Sequence, residues 1–439
     1  MEFSNKGNFE QALYELKNDK NNAVASLFDI QKKQEGKLNG VIFTLKNNYA
    51  KDFDSTDASS NILKNFNPSY NATILNKLFN QGARLIATTN LDEFGLGGTG
   101  EYSNRGLIMN PLDNNYYVGG SSSGAAATFS KNIGFAIGSD TGDSVRLPAS
   151  NIGVVGFKPS YGAVSRYGLF AYASSLDTVA WFSHNVNDSI LLAQTLYGKD
   201  KYDLTSISID IKNIDLEKPK KIAYLDCFEN VEEYVSDSYK NLIKKLENEQ
   251  IQIEKITPNK DLLNAIKIVY EVISFSEASS NLSNLTGVGF GVRKEGKNWE
   301  EIFQNTRTNG FGFMVQRRLA LGSFYLEKDN QEEYFVRAQK VRRLISNWFN
   351  KIYDQYDFLI YPSSPSIAPR KNEIEKKDYQ YMSYILTASN LVGNPSLNMK
   401  LGKYNKMPFN VSIDSKIYTD KKLLSYGLYL EKILGENND

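Results

Sequence analysis

Short apolar runs alternate with segments of helical spacing from about residue 40 to about residue 195. The runs VIFTLK (41–46) and RLIATT (84–89) predict buried strands, and the first of them ends on a lysine. Between them, ATILNKLFNQ predicts a helix, with Asn71 as its N-terminal cap and Gly82 as its C-terminal stop. Strands that alternate with helices in this way predict a layered α/β sheet.

Longer helical stretches follow in the rest of the chain. KIAYLDCF (221–228) and FLIYP (358–362) predict two more strands, and residues 331–353 predict an amphipathic helix. The apolar stripe of that helix consists of Phe335, Ala338, Val341, Leu344, Ile345, Trp348 and Ile352. A last helix is predicted at KKLLSYGLYLEKIL, near the end of the sequence.

The interleaving of these elements favours a single domain over residues 1–439. We expect a core at about 35–200 and a more helical portion at about 220–380. A strand and helix at about 380–439 would return the chain to the core.

Composition excludes several kinds of chemistry. Cys227 is the only cysteine and His184 the only histidine, so an internal disulfide, a thiolate cluster and a His-rich metal site are excluded. A Ser-His-Asp triad would have to use that one imidazole. The net charge of +1 gives no overall attraction to nucleic acid. Since no apolar run approaches the roughly 18 residues of a membrane span, we expect a cytoplasmic protein without membrane contact.

Three polar features in the first half are candidates for a site. Lys46 follows a buried apolar run, where burial would lower its pKa and make a neutral amine available as a base. VGGSSSG enters a helix and could bind phosphate through backbone N–H groups, although it lacks the lysine-threonine ending of a P-loop. GSDTGDSVRLPAS (138–150) is either an ordinary turn or a turn that holds a nucleophilic serine.

Long unbroken runs are more specific than these short patterns. VGGSSSGAAA and then GSDTGDSVRLPASNIGVVGFKPSYGAVSRYGLFAYASSLD, with GVIFTLKNN upstream, resemble the amidase signature family over about residues 35–185. Within that family, DEFGLGGTGEYSN, SRYGLFAYASSLD and SEASSNL are similar to the A subunits of glutamyl-tRNA(Gln) amidotransferases. The resemblance implies an α/β fold with a large, mixed, twisted β-sheet core flanked by α-helices on both faces.

The resemblance also implies catalysis by a Ser–cis-Ser–Lys triad. Ser144 matches the nucleophile, Ser121 matches the cis-serine that relays the proton, and Lys46 matches the base. A hydroxyl bridge and a desolvated lysine would then replace the imidazole of other serine enzymes. The oxyanion hole would be formed by backbone N–H groups of Thr141, Gly142, Asp143 and Ser144.

For the substrate, the resemblance implies a glutamine pocket. Arg318 matches the residue that holds the α-carboxylate, with its neighbour Arg317 as the alternative, and Tyr270 matches a tyrosine of the same pocket.

The chain departs from the family at several positions. Ser383 stands where an aspartate usually holds the α-ammonium, and Asp143 stands where glycine is usual. Asn47 follows the lysine where aspartate is usual, and TGVGFG (286–291) lacks the acid and the arginine of the family segment. We expect the Asp143 carboxylate to point away from the oxyanion hole, toward solvent or a cation, because its charge would repel the oxyanion.

The partners implied by the resemblance are the B and C subunits of an amidotransferase complex. Glutamine would be hydrolysed here, and the ammonia would convert misacylated Glu-tRNA(Gln), which is bound through the complex, to Gln-tRNA(Gln). This chain would bind no metal or cofactor itself, since ATP and Mg would be used in the B subunit. Two alternatives remain at this point: a free-standing amidohydrolase of the same family, and a catalytically weakened scaffold subunit.

Overall fold

The structure, a computed structural model, describes residues 2–371, residue 373 and residues 377–435. Eleven strands in this part of the chain form one sheet. They are β1 Val24–Ile30, β2 Ile42–Lys46, β3 Arg84–Thr89, β4 Phe135–Asp140, β5 Val155–Lys158, β6 Thr178–Ser183, β7 Lys221–Leu225, β8 Gln252–Ile256, β9 Leu359–Pro362, β10 Ser396–Tyr404 and β11 Met407–Asp414. The α-helices are α1 Phe9–Lys17, α2 Thr73–Asn80, α3 Ser123–Ala127, α4 Arg146–Ile152, α5 Val186–Leu196, α6 Glu233–Asn248, α7 Lys260–Asn281, α8 Trp299–Gly310, α9 Phe313–Leu326, α10 Arg337–Tyr353, α11 Ala388–Val392 and α12 Asp420–Gly435.

The order of strands in the sheet is β1-β3-β2-β4-β6-β5-β10-β11-β9-β7-β8. Strand β2 runs parallel to both β3 and β4, whereas β4 is antiparallel to β6, so the sheet is mixed. The carboxyl ends of parallel neighbours meet at one edge of a sheet. Lys46 at the end of β2 and Asp140 at the end of β4 therefore lie at the same edge, which carries the candidate site.

Both faces of the sheet are covered. Along β2, Phe43 belongs to one hydrophobic cluster and Ile42 to another, and in β4 Phe135 and Ala136 divide in the same way. Successive side chains of a strand point to opposite faces, so the two clusters lie on opposite sides of the sheet. This arrangement confirms the predicted fold class, a large mixed sheet flanked by helices. No helix of the described residues is long and apolar enough to cross a membrane.

Most local predictions hold, but the cap predicted for α2 is wrong. The strands at 84–89 and 358–362 form as β3 and β9, and Gly82, with φ of 83°, follows the end of α2. Asn71 does not cap α2: the N-cap residue is Ala72, and the Asn71 side chain accepts the backbone N–H of Asp52 instead.

The predicted stripe of helix α10 is only partly buried. Ala338, Ile345 and Ile352 are buried as expected, but Leu344 is 53% exposed and Phe349 takes a buried position instead. At 100° per residue, position 344 lies at the edge of the stripe, whereas 349 lies near its centre. The buried face of the helix is therefore rotated slightly from the face that apolar spacing predicts.

Helices α7 and α9 pack closely beside the sheet edge that carries the site. Gly322 of α9 makes this contact possible, because a Cβ atom there would lie 2.0 Å from the backbone oxygen of Phe275 in α7. These two helices carry the predicted substrate residues Tyr270 and Arg318. Two elements that are distant from the core strands in sequence thus reach the same edge.

Candidate active site

Lys46 ends strand β2 against three serine hydroxyls. Its Nζ lies 2.8 Å from Ser121 Oγ, 2.9 Å from Ser139 Oγ and 3.1 Å from Ser122 Oγ, and the lysine is fully buried. Burial lowers the pKa of Lys46 to about 7, although the carboxylates of Asp92, Asp140 and Asp177 oppose the shift. A large share of the amine is therefore neutral near pH 7 and can accept a proton from a hydroxyl.

An ion pair anchors residues 140–146, which are called the nucleophile turn below because they contain the predicted nucleophile, Ser144. The side chains of Asp140 and Arg146 are fully buried, with 2.9 Å between Oδ1 and Nη2. Burial alone would raise the pKa of Asp140, but the Arg146 guanidinium holds it below its ordinary value. Arg146 also donates to the carbonyl of Gly142, 2.9 Å away, so the turn is bonded to its own anchor.

The backbone N–H groups of residues 141–144 are available to a ligand. None of them donates to an acceptor within the described residues, and Ser144 itself is buried. Thr141 is fixed through its hydroxyl, which donates to Asp177 Oδ1 at 2.7 Å. Consecutive unpaired N–H groups beside a serine hydroxyl can stabilise an anion that forms there.

The loop with Ser121 is joined to this turn. The Gly120–Ser121 peptide bond is cis, and the backbone N–H of Ser122 donates to the carbonyl of Ser144 at 3.1 Å. Gly120 lies against Asp92, since a Cβ atom at 120 would be 2.1 Å from Asp92 Oδ2. The structure therefore brings the three predicted triad residues to one place on separate elements.

A second group of residues, the binding wall, faces the nucleophile turn and consists of Tyr172, Tyr270 and Arg318. The ring of Tyr270 packs on the turn, as a Cβ atom at Gly142 would lie 3.0 Å from its Cζ. Arg318 Nη1 donates to the hydroxyl of Tyr172 at 3.0 Å, while its Nε has no partner within the described residues. Arg317 is exposed, so Arg318 is the arginine that points to the site.

Two of the positions that depart from the family pattern have different surroundings. Ser383 is exposed, in a 3-10 helix at Gln380–Thr387, and donates to no acceptor in the described chain. Asp143 is partly buried, and its carboxyl oxygens keep contact with solvent; desolvation and the charge of Asp140 raise the pKa of this carboxyl to about 7. The cations that act on it are Arg146 and Arg318, and the second of these belongs to the binding wall.

Four residues of the site carry no separate signal in the sequence. Ser122 and Ser139 bond to the Lys46 amine, Tyr172 orients Arg318, and Asp177 holds Thr141. All four stand in or beside the motif runs, but only their contacts separate them from neighbouring serines and acids.

The single histidine and cysteine lie outside this arrangement. His184 Nε2 is 2.8 Å from the carbonyl of Ile133, and its ring stacks on Phe129 with centroids 4.6 Å apart. Cys227 is buried in a hydrophobic cluster. Both side chains therefore have packing roles. Within residues 2–371, 373 and 377–435, no group of three His, Cys, Asp or Glu side chains could hold a metal ion.

A lysine on serine hydroxyls, beside a serine in a turn of unpaired N–H groups, defines the class of serine enzymes that transfer acyl groups without histidine. The chain belongs to the amidase family, whose family model matches residues 9–424.

Several named proteins are similar to this chain over most of its length. The A subunit of glutamyl-tRNA(Gln) amidotransferase from Sulfolobus acidocaldarius is 38% identical over 91% of this chain and 86% of its own length. The protein of the same name from Wolinella succinogenes is 36% identical and covers 97% of both chains. A crystal structure of the A subunit of glutamyl-tRNA(Gln) amidotransferase from Thermotoga maritima superimposes with a TM-score of 0.80 and 32% identity, over 97% of this chain and 91% of that one.

Proposed function

We propose that this chain is the glutamine-hydrolysing A subunit of a tRNA-dependent amidotransferase. The observation that carries the proposal is the contact of Lys46 Nζ with Ser121 Oγ at 2.8 Å, next to a turn with a serine and four unpaired N–H groups. This geometry suits amide hydrolysis through an acyl-serine. The similarity to named A subunits over nearly the whole chain supports glutamine as the donor.

In the proposed reaction, Ser144 Oγ attacks the carboxamide carbon of glutamine. Its proton passes to Ser121 Oγ as the Ser121 proton passes to the neutral amine of Lys46. The N–H groups of residues 141–144 stabilise the oxyanion. Collapse of the tetrahedral intermediate returns the proton to the leaving nitrogen, so ammonia departs and a γ-glutamyl ester of Ser144 remains. Water then cleaves the ester by the same proton path in reverse and gives glutamate.

The ammonia would be used by partner subunits rather than by this chain. A B subunit would activate Glu-tRNA(Gln) with ATP and Mg, and a C subunit would complete a heterotrimer in the cytoplasm. The near-neutral net charge of +1 agrees with binding of tRNA and ATP outside this chain.

The test is co-purification with the native partner subunits, followed by assay of glutamine hydrolysis with and without misacylated tRNA. We expect hydrolysis that requires the complex and responds to the tRNA, and its loss in a Ser144→Ala complex. Equal turnover of simple amides without partners, and no response to tRNA, would contradict the proposal.

Those contrary results would favour the second candidate, a free-standing amidohydrolase for another amide. The observation behind it is the exposed Ser383, which lacks the charge that an ammonium group requires.

A scaffold without catalysis is the third candidate, suggested by the extra carboxyl of Asp143 beside Ser144. A fluorophosphonate probe read out by intact mass separates it from the enzymes. An adduct that forms in the wild-type complex and is absent from the Ser144→Ala complex excludes a purely structural role.

A further inference from the structure

Asp143 carries an acidic group that the proposed mechanism does not use. The residue immediately precedes Ser144 and is partly buried, yet no donor within the described residues hydrogen-bonds to its carboxyl oxygens. A buried or half-buried carboxylate is normally paired with a cation or with hydrogen-bond donors. Its two oxygens have no protein partner and are not closed off from solvent, so they are open to a ligand at the site.

Neither of the two cations near Asp143 forms an ion pair with its carboxylate. Arg146 is already bonded to Asp140, to the carbonyl of Gly142 and to Asn390, among others, and forms no ion pair with Asp143. Arg318 acts on the Asp143 carboxyl by its charge but likewise stays beyond ion-pair distance. The other charged or titratable groups that face Asp143 are Asp140, which repels it, and Tyr270.

Arg318 and Asp143 together present one cation and one anion beside the nucleophile. Arg318 has an unpaired Nε, which is free to bind a carboxylate. Asp143 offers two acceptor oxygens to a donor with positive charge. A free amino acid carries both groups on one carbon, as a carboxylate and an ammonium. We propose that Asp143 binds the α-ammonium of the amide substrate while Arg318 binds its α-carboxylate, so that the site selects free amino-acid amides.

This assignment builds on the proposed glutaminase function and explains why the carboxylate is tolerated. Without an ammonium group, the negative charge of Asp143 would repel the oxyanion that forms at Ser144. A bound ammonium neutralises that charge, so a substrate that lacks it is both bound less tightly and turned over less well.

Other acids near the site are poorer candidates for this role. The Asp92 carboxylate already accepts the backbone N–H groups of Gly100 and Tyr102, and it lies under Gly120. The Asp177 carboxylate already accepts the hydroxyl of Thr141 and the backbone N–H groups of Tyr172 and Ala173. Within the part of the chain that the structure describes, Asp143 is thus the acid beside Ser144 whose two carboxyl oxygens accept no hydrogen bond.

The experiment compares two substrates in the assembled complex: L-glutamine, and 4-carbamoylbutanoate, which is glutamine without its ammonium. We expect the wild type to prefer glutamine in kcat/KM by tenfold or more. Asp143→Asn, which removes the charge and keeps the size, should reduce this preference by tenfold or more, chiefly through a higher KM for glutamine. Asp143→Gly, which removes the whole carboxyl side chain, should reduce the preference for glutamine in the same direction.

Controls distinguish a loss of substrate preference from misfolding and from failure of the proposed function. The exposed neighbour of the binding arginine supplies a matched variant, Arg317→Ala, which should keep the wild-type preference. Ser144 labelling by a neutral fluorophosphonate verifies that each variant has an intact nucleophile, and the asparagine variant decides the matter if the glycine variant does not label. A preference retained within twofold in an active Asp143→Asn complex overturns the inference alone. A wild-type complex that labels at Ser144 but does not hydrolyse glutamine overturns the proposed function as well.

Discussion

On one side of the site, Lys46 and Arg146 are buried and bonded through their charged ends to hydroxyls, carbonyls and a carboxylate. On the other side, Arg318 keeps an unpaired Nε, and no hydrogen bond within the described residues reaches the Asp143 carboxyl. The nucleophile turn is thus held by its own anchor without a ligand, whereas the binding wall and the Asp143 carboxyl leave groups free for one.

The difference separates two kinds of function in one small volume. Groups that stabilise a transition state work best when the fold has already oriented them, because no reorganisation is then needed during the reaction. Groups that recognise a substrate must keep hydrogen-bonding capacity unused until it binds. Substitutions of the buried, bonded groups should therefore reduce rate or stability, and substitutions in the wall should reduce affinity.

The largest effect is expected from Lys46→Met, which removes the proton acceptor but keeps an apolar side chain of similar length. Turnover of glutamine should fall by about 10³-fold or more, since proton transfer in the transition state is lost. Steady-state kinetics and the rate of Ser144 labelling measure this loss.

Lys158 provides the matched control. It too is fully buried, and burial lowers its pKa to about 7 as well, but its Nζ donates to the backbone carbonyls of Pro159 and Asn394. Lys158→Met should change stability and leave Ser144 labelling largely intact. Equal loss of labelling in both variants would mean that Lys46 acts only through the fold.

Loss of the ion pair between Asp140 and Arg146 should strongly destabilise the fold. Arg146→Met leaves Asp140 buried without its cation, which should lower the free energy of unfolding by about 3–5 kcal/mol. Denaturant unfolding measures the change. The exposed pair of Lys416 and Asp354, with 2.6 Å between Nζ and Oδ1, is the comparison, and Lys416→Ala should cost less than about 1 kcal/mol. Similar losses in the two variants would contradict a structural role for the buried pair.

The binding wall should respond through KM. Arg318→Ala removes a charged hydrogen bond to the substrate carboxylate, so KM for glutamine should rise roughly 10- to 100-fold with a smaller change in kcat. Initial rates over a range of glutamine concentrations distinguish the two parameters, and Arg317→Ala should stay within about twofold of the wild type. A fall in kcat without a rise in KM would mean that Arg318 acts on the reaction rate, like the nucleophile turn, and not on substrate binding.

The same division limits what the sequence can predict. Lys46, Ser121 and Ser144 stand in long motif runs at the ends of strands and loops, so their positions follow from the resemblance and from local patterns. Arg318 and Tyr172 are 146 residues apart, and their contact depends on how α9 packs against α7. No local pattern reports such packing. For the same reason the capping role expected of Asn71 failed, because a tertiary partner at Asp52 took its side chain.

Departures from the family pattern are visible in the sequence, but their meaning is not. Asp143 and Ser383 both stand out as substitutions, and only the structure shows that one lies near the charge of Arg318 while the other is exposed. A change of residue type tells which group is present, whereas the charges that surround it come from elements scattered along the chain.

The smallest expected effect is the pH dependence of the nucleophile turn. Because burial lowers the pKa of Lys46 to about 7, the amine is protonated below that pH and neutral above it. Labelling of Ser144 by a neutral fluorophosphonate should therefore rise about tenfold between pH 6 and pH 8 and then level off. The rise should be clearest in Asp143→Asn, because in the wild type the Asp143 carboxyl ionises over the same range and its charge opposes the anion that forms at Ser144. A rate of Ser144 labelling that does not change with pH would mean that Lys46 is not the proton acceptor.

The pH dependence of KM for glutamine tests substrate binding over the same range. Desolvation and Asp140 raise the pKa of the Asp143 carboxyl to about 7, so this group is neutral below that pH and charged above it. KM for glutamine should therefore fall between pH 6 and pH 8 as Asp143 ionises and gains attraction for the substrate ammonium, and this change should vanish in Asp143→Asn. Initial rates at each pH give both profiles. A KM profile shared by the two proteins would assign the titration to another group and remove Asp143 from substrate binding, while the labelling profile of Asp143→Asn would still report on Lys46.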